Sequence, residues 1–356
     1  MIKRIQQLPQ AQRTLIFVLL ASGVVMLFLV LAVYIIIQTA TAVPRNEAVA
    51  LSEDIEVSEF VTIPDEDAYP ASMALSPGGD LYIGSYKTGL IWQVNPDGHI
   101  TALEGTKEAI GAVASLTFGP DGTLYILDRI DALKAEGAIV WAYKNGQLEQ
   151  IISLSKDGKD RIVLPHDIVS DGQGQLYVSD FGPDRIWRID PVQKSAAIWW
   201  ESEADRDESQ FALTGLWFEA DENQLYMLDS NQDSISRVAI DAENPAAETE
   251  VIYRHQAVVG KPAPGFNQLW ITDSGQIFLA ALNSNEVYVL EDGQMKALAG
   301  SFRGASDVVY DASRQRLYVS NWDQRTLVPL SILVFQVSNM ARLPFGIDVI
   351  DFKAAS

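Results

Sequence analysis

The chain has 356 residues, of which 26 are Lys or Arg and 47 are Asp or Glu, and it contains no cysteine. The absence of thiols excludes a disulfide framework, a thiolate metal site, a cysteine nucleophile and a lipidated cysteine. Four of the bases and none of the acids precede Glu47, so the remainder sets 22 bases against 47 acids, a net charge of −25 that repels phosphate backbones and argues against a nucleic-acid partner.

Residues 1–14 form a short basic tail carrying Lys3, Arg4 and Arg13. Residues 15–37, Leu15 to Ile37, are apolar and uncharged. At about 1.5 Å rise per residue this run crosses a hydrocarbon core of roughly 30 Å, so a single transmembrane helix is expected. The basic flank places the N-terminus in the cytoplasm and everything after the helix on the extracytoplasmic side. The competing reading is a secretory leader cut after Ala40-Thr41-Ala42, although its apolar region would be unusually long. Either way the acidic remainder is exported.

Residues 38–54 read as a linker, and Ile55 to Ile63 alternates as a strand does. Repetition then takes over. The signature aliphatic–aromatic–apolar occurs as Leu81-Tyr82-Ile83, Leu124-Tyr125-Ile126, Leu176-Tyr177-Val178, Leu225-Tyr226-Met227, Ile277-Phe278-Leu279 and Leu317-Tyr318-Val319, at spacings of 43, 52, 49, 52 and 40. A turn rich in Asp, Gly and Pro precedes each copy. The unit is clearest in Leu164 to Asp190: an inner strand from His166 to Ser170, a tight Asp171-Gly172 turn, a second strand from Gln175 to Ser179 and a third from Arg185 to Ile189. Strand-rich repeats of this period are the signature of four-stranded propeller blades. The fold class is therefore all-β, a six-bladed β-propeller over residues 55–352 preceded by a single N-terminal transmembrane helix.

Two details follow from that assignment. An open ring would leave two unpaired edges, so the Ile55–Ile63 strand is expected to complete the last blade. In that blade the apolar run Leu327 to Val337 reads as an insertion and Leu343 to Ile350 as the third strand; alternatively, Ser331 to Val337 is an ordinary strand. The third-strand tryptophans Trp92, Trp141 and Trp187 recur in register, which suits packing between blades better than a ligand platform.

The segments Pro70 to Ser85, Leu164 to Asp190 and Thr214 to Asp229 resemble the six-bladed propellers that include regucalcin and gluconolactonase, paraoxonases and strictosidine synthase-like proteins, with NHL-repeat propellers close by. The resemblance covers roughly residues 55–352, and the helix-plus-propeller layout is similar to that of membrane-anchored strictosidine synthase-like proteins. It implies a lactonase or esterase activity in some members and pure binding in others. In the metal-dependent members, Glu, Asn and Asp side chains at the inner-strand starts hold a divalent cation on the channel axis. Alignment of the inner strands puts Ala71, Ala114, His166, Thr214, Asn267 and Ser306 there, with no carboxylate among them. A shift of one residue gives Ser72, Ser115, Asp167, Gly215, Gln268 and Asp307, with two acids.

The second strands end on the same face at Ser85, Asp128, Asp180, Asp229, Ala281 and Asn321. His166, Asp167 and Asp180 are therefore the candidate catalytic residues, since a histidine beside carboxylates can serve as a general base. The plainer alternatives are a structural histidine and aspartates that cap turns. Asp167, Asn267 and Asp307 are the candidate ligands of a divalent cation such as calcium. Two functions remain: a tethered module binding a small molecule or partner protein at the channel mouth, and a metal-dependent lactonase or ester hydrolase with a rearranged site.

Overall fold

The computed structural model describes residues 9–40, 47–155, 161–202, 213–327, 330–332, 335–337 and 344–353. The chain divides into two compact units, Met1–Pro44 with Arg325–Arg342 and Arg45–Gln324 with Leu343–Ser356. The first contains an α-helix, Gln10–Ala40, long and apolar enough to cross a membrane. It also contains an antiparallel pair, Leu330–Ile332 with Phe335–Val337. The basic residues Lys3 and Arg4 and the cleavage motif beyond Ala40 lie outside the described residues.

The second unit is a six-bladed propeller. Its inner strands are Pro70–Leu75, Val113–Phe118, Pro165–Ser170, Leu213–Glu219, Phe266–Ile271 and Ala305–Asp311, for blades 1 to 6 in order. Each is the first strand of an antiparallel sheet, and the last inner strand packs back against the first, which closes the ring. Blade 6 has the order Ile55–Thr62, Gly346–Phe352, Arg316–Asn321, Ala305–Asp311. The leading strand thus completes the last blade and the C-terminal segment supplies its third strand. A further pair, Val49 with Gly300 and Ala50 with Ala299, adds a short fifth strand to the outer edge of blade 5.

The core lies in the seams between blades. Leu127, Val140, Ile168, Val178 and Trp187 pack between blades 2 and 3, and Leu228, Ile235, Leu269 and Leu279 between blades 4 and 5. Each fully buried aliphatic side chain contributes roughly 1.5–3 kcal/mol relative to exposure. Trp92 and Trp187 are buried in this packing, as their recurrence suggested.

The turn between first and second strands differs from the sequence reading in one respect. A residue with positive φ stands two positions before the first residue of every second-strand signature (Leu81, Leu124, Leu176, Leu225, Ile277 and Leu317): Gly79, Gly122, Gly174, Asn223, Gly275 and Gln315. In blade 3 the left-handed residue is therefore Gly174 and not Gly172. Asp171 contributes through its side chain, whose Oδ1 accepts the N–H groups of Gln173 and Gln175 at 2.8 and 2.9 Å. The turn is longer than a two-residue hairpin because this capping stabilises the wider loop.

Candidate functional site

Each inner strand begins beside the end of its second strand: Pro70 pairs with Ser85, Val113 with Asp128, Pro165 with Asp180, Leu213 with Asp229, Phe266 with Ala281 and Ala305 with Asn321. These ends define one face of the propeller, the channel mouth. Directly below, the register of all six pairs shifts. A bulge adds a residue to one strand and re-aims its side chain. The first ring of inner-strand residues lies within these shifts and the second lies within or directly after them, as two adjacent layers.

The layers lace the six seams together. Ser72 Oγ accepts the Leu116 N–H (3.1 Å), Ser115 Oγ donates to Asp167 Oδ1 (2.5 Å), and Asp167 Oδ2 accepts the Leu216 N–H (2.6 Å). Thr214 Oγ1 donates to the Phe266 carbonyl (3.0 Å) and Asn267 Nδ2 to the Ser306 carbonyl (2.7 Å). Ser306 Oγ donates to the Ala71 carbonyl (2.9 Å), and Asp307 Oδ2 accepts the Met73 N–H (2.6 Å). Two further bonds connect blades 3 and 5: Gln268 Nε2 donates to Asp167 Oδ2 (2.7 Å), and His166 Nε2 lies 3.2 Å from Asn267 Oδ1. Gly215 leaves room for this bridge, since a Cβ there would stand 2.3 Å from Gln268 Oε1 and 2.8 Å from the Asn267 carbonyl oxygen.

The acids at the axis are thereby engaged. Asp167 also accepts the Ile168 N–H, and Asp307 the Val308 N–H. Burial raises the pKa of Asp167, and its hydrogen bonds only partly offset this. Burial pushes Asp307 well above the usual carboxylate range, and the charge of Asp167 adds to the effect. The set Asp167, Asn267 and Asp307 does not fit a cation: both carboxylates are directed at N–H donors, and the Asn267 amide spans His166 and Ser306. Among the described residues no three His, Asp or Glu side chains are grouped as a metal would require.

His166 is set differently. Because Asn267 Nδ2 is committed to the Ser306 carbonyl, Oδ1 is the atom that faces the imidazole, so in the neutral ring Nε2 carries the proton and Nδ1 the lone pair. Burial lowers the pKa of His166 to about 4, with the positive charge of Arg129 acting in the same direction against the Asn267 hydrogen bond. The ring lies against Phe181 with centroids 5.5 Å apart. Its Nδ1 is shut away from solvent with no hydrogen-bond partner among the described residues, as are Arg129 Nε and Trp322 Nε1. Arg129 lies over Tyr86 at 5.7 Å, and Tyr86 meets Trp322 edge-on at 4.8 Å.

Asp180 is fully buried and accepts the N–H groups of Val163 and Leu164 at 3.0 and 2.8 Å, which fixes the segment leading to His166. Asp128 does the same for Gly111 and Ala112, and Asp233 for Gly265 and Phe266. Asp229 caps its own following turn through Asn231 and Gln232. These aspartates hold strand entries and turns. The sequence reading missed Tyr86, Arg129, Phe181 and Trp322, although each immediately follows a second strand and the repeat could have singled out that position.

A sequence model of the SMP-30/gluconolactonase/LRE-like region matches residues 128–322. No curated protein matches the chain by sequence. Among solved structures, a gluconolactonase from Xanthomonas campestris is similar at 15% identity, with a TM-score of 0.56 over 87% of this chain and 98% of that one. A catalytically inactive variant of virginiamycin B lyase from Staphylococcus aureus, with quinupristin, is similar at 14% identity, with a TM-score of 0.54 over 84% of this chain and 99% of the lyase. An auxiliary nutrient binding protein from Bacteroides thetaiotaomicron is similar at 11% identity, with a TM-score of 0.59 over 84% of this chain and 77% of that one. At these identities the likeness is one of fold.

Proposed function

Because the chain belongs to the SMP-30/gluconolactonase/LRE-like family, whose model spans more than half of it, we propose that it is a membrane-anchored, extracytoplasmic propeller that holds a small molecule at its channel mouth. One observation carries this reading. The His166 Nδ1 lone pair and the Arg129 Nε–H are both enclosed without a protein partner among the described residues, while the carboxylates at the axis are fully engaged. Enclosed polar groups are costly unless hydrogen-bonded, so such a pair favours a ligand that donates to His166 and accepts from Arg129. A hydroxyl beside a carbonyl or carboxylate oxygen has that pattern. Tyr86, Phe181 and Trp322 offer apolar surface to the rest of the molecule. Asp180 acts as a positioning residue through Val163 and Leu164. Asp167 and Asp307 hold the ring together below.

The test is calorimetric titration of the detergent-solubilised full chain with a panel of hydroxy acids and lactones, with and without chelator. Binding that ignores the chelator and weakens at least tenfold, about 1.4 kcal/mol, in both His166→Ala and Arg129→Ala supports the reading. Family membership favours a second reading, a metal-dependent lactonase or ester hydrolase. Chelator-sensitive turnover, together with a melting temperature raised by millimolar calcium, would establish that reading and displace the first.

A further inference from the structure

We propose a second binding site, on the flank of the propeller between blades 4 and 5, that takes a small carboxylate with an apolar or aromatic body. It is separate from the channel mouth and independent of how the chain is anchored.

The connection from Arg254, the last residue of blade 4, to Phe266, the first of blade 5, builds the site. Both ends of this loop, residues 255–265, are tied to Asp233: its carbonyl accepts the His255 N–H (2.9 Å) and its Oδ1 accepts the Gly265 N–H (2.7 Å). Between these ties the Lys261 N–H donates to the Val258 carbonyl (3.0 Å), Gly260 takes a positive φ, and Pro262 and Pro264 fix their own φ by ring closure. A loop whose ends meet and whose turn is set in this way is a preformed wall. It shares a cavity of about 580 Å³ with Gly293, Met295 and Ala297 of blade 5, and Tyr253 of blade 4 and Tyr288 of blade 5 also line it. That volume lies within the range of small-molecule sites.

The lining divides by chemistry. Val258, Pro262, Pro264 and Met295 present apolar surface, whereas Arg254, Lys261 and His255 supply hydrogen-bond donors. In a propeller so rich in acid, bases tend to be paired: Lys87, Lys144, Lys194 and Arg237 each bond a carboxylate. Arg254 and Lys261 bond none among the described residues. His255 Nδ1 is shut away from solvent with no hydrogen-bond partner among the described residues, a costly state for a ring nitrogen. Glu286, the one acid among the lining residues, accepts the Tyr288 hydroxyl. Burial, and then that bond, pushes the Tyr288 pKa up to about 12, so the phenol adds no negative charge. Two unneutralised bases and an unmatched imidazole nitrogen beside apolar surface suit a single carboxylate on an apolar body: the Nδ1–H tautomer donates to it, and the guanidinium and ammonium neutralise it.

Methionine methyl resonances locate the ligand directly. Met295 lines this cavity, Met227 a smaller one between blades 3 and 4, and Met73 the central channel. The detergent-solubilised full chain with isotope-labelled methionine methyls is titrated with benzoate, phenylbutyrate and octanoate. The expected result is a saturable shift at Met295, assigned through Met295→Leu, with binding about tenfold weaker once Arg254→Gln and Lys261→Gln are combined. His255→Phe, which keeps a ring against Phe266 and removes the nitrogen, should weaken it as well. No saturable Met295 shift with any of the three acids, undiminished affinity in the charge variant, or equal binding of uncharged phenylbutanol overturns the proposal. So does a shift confined to Met73 or Met227, or its loss in His166→Ala, since either result puts the ligand elsewhere.

Discussion

Replacing Asp167 by alanine tests whether the hydrogen-bonded layers at the axis hold the propeller closed. The carboxylate accepts from Ser115 Oγ, Ile168 N–H, Leu216 N–H and Gln268 Nε2, linking blades 2, 3, 4 and 5. The serine hydroxyl can rotate to another acceptor, but the other three donors have no obvious substitute. A buried donor left unmatched costs about 1–3 kcal/mol. Against this, alanine removes a carboxylate whose charged form burial disfavours, as its raised pKa records. The net expectation is a loss of about 3–5 kcal/mol, a large share of the 5–15 kcal/mol typical of folded domains. Urea unfolding of the detergent-solubilised full chain, followed by tryptophan fluorescence, should show the midpoint falling with an unchanged slope. A double-mutant cycle with Gln268→Ala should return a coupling of about 0.5–3 kcal/mol, because the two side chains meet in one hydrogen bond. A loss below about 1 kcal/mol would refute the reasoning: a carboxylate so cheaply removed would not be what binds the seams.

Three further outcomes follow. Gly215→Ala drives a Cβ to within 2.3 Å of Gln268 Oε1 and 2.8 Å of the Asn267 carbonyl oxygen, so it should cost about 1–3 kcal/mol in the same unfolding assay. Asp307 has a folded pKa above its unfolded one, so the stability it contributes is complete below the unfolded value and disappears as pH rises through the folded value. Wild type minus Asp307→Asn stability should therefore be greater at pH 4 than at pH 8, and a difference independent of pH would contradict the assignment. His166, whose pKa falls to about 4, should stay neutral in nitrogen-15 spectra through pH 6 with its proton on Nε2. Titration near 6.5, or a proton on Nδ1, would remove the acceptor on which ligand recognition depends.

The architecture was legible because its determinants are local and repeated: an aromatic flanked by aliphatics marks every second strand, and six copies imply six sheets. The closing strand was legible from the cost of an open edge. The bulges were not, because nothing in Ala71, Ala114 or Asp167 distinguishes a residue in a regular strand from one in a bulge. Both rings of inner-strand residues consequently looked like rival alignments when they are adjacent layers. Asp180 looked catalytic by proximity to His166, whereas its oxygens are taken by backbone donors at positions 163 and 164. Arg129 escaped notice because its relation to His166 crosses from one blade to the next, and a period read along a single chain carries no such information. The Val49–Ala50 strand was hidden inside what read as a polar linker; two residues give no periodicity.

That two-residue strand has a mechanical meaning. Ile55 begins the closing strand, paired with Phe352 at the far side of blade 6, and the strand runs back to Thr62 beside Gly346 at the mouth. A pull on the N-terminus acting directly at Ile55 would load the closing strand itself, starting at its pairing with Phe352. With Val49 and Ala50 bonded along blade 5, the same pull first meets that short ladder and its bonds to Leu298, Ala299 and Gly300. The clip isolates the closing strand from the tether, so tension on the chain does not become an opened ring until the clip has given way.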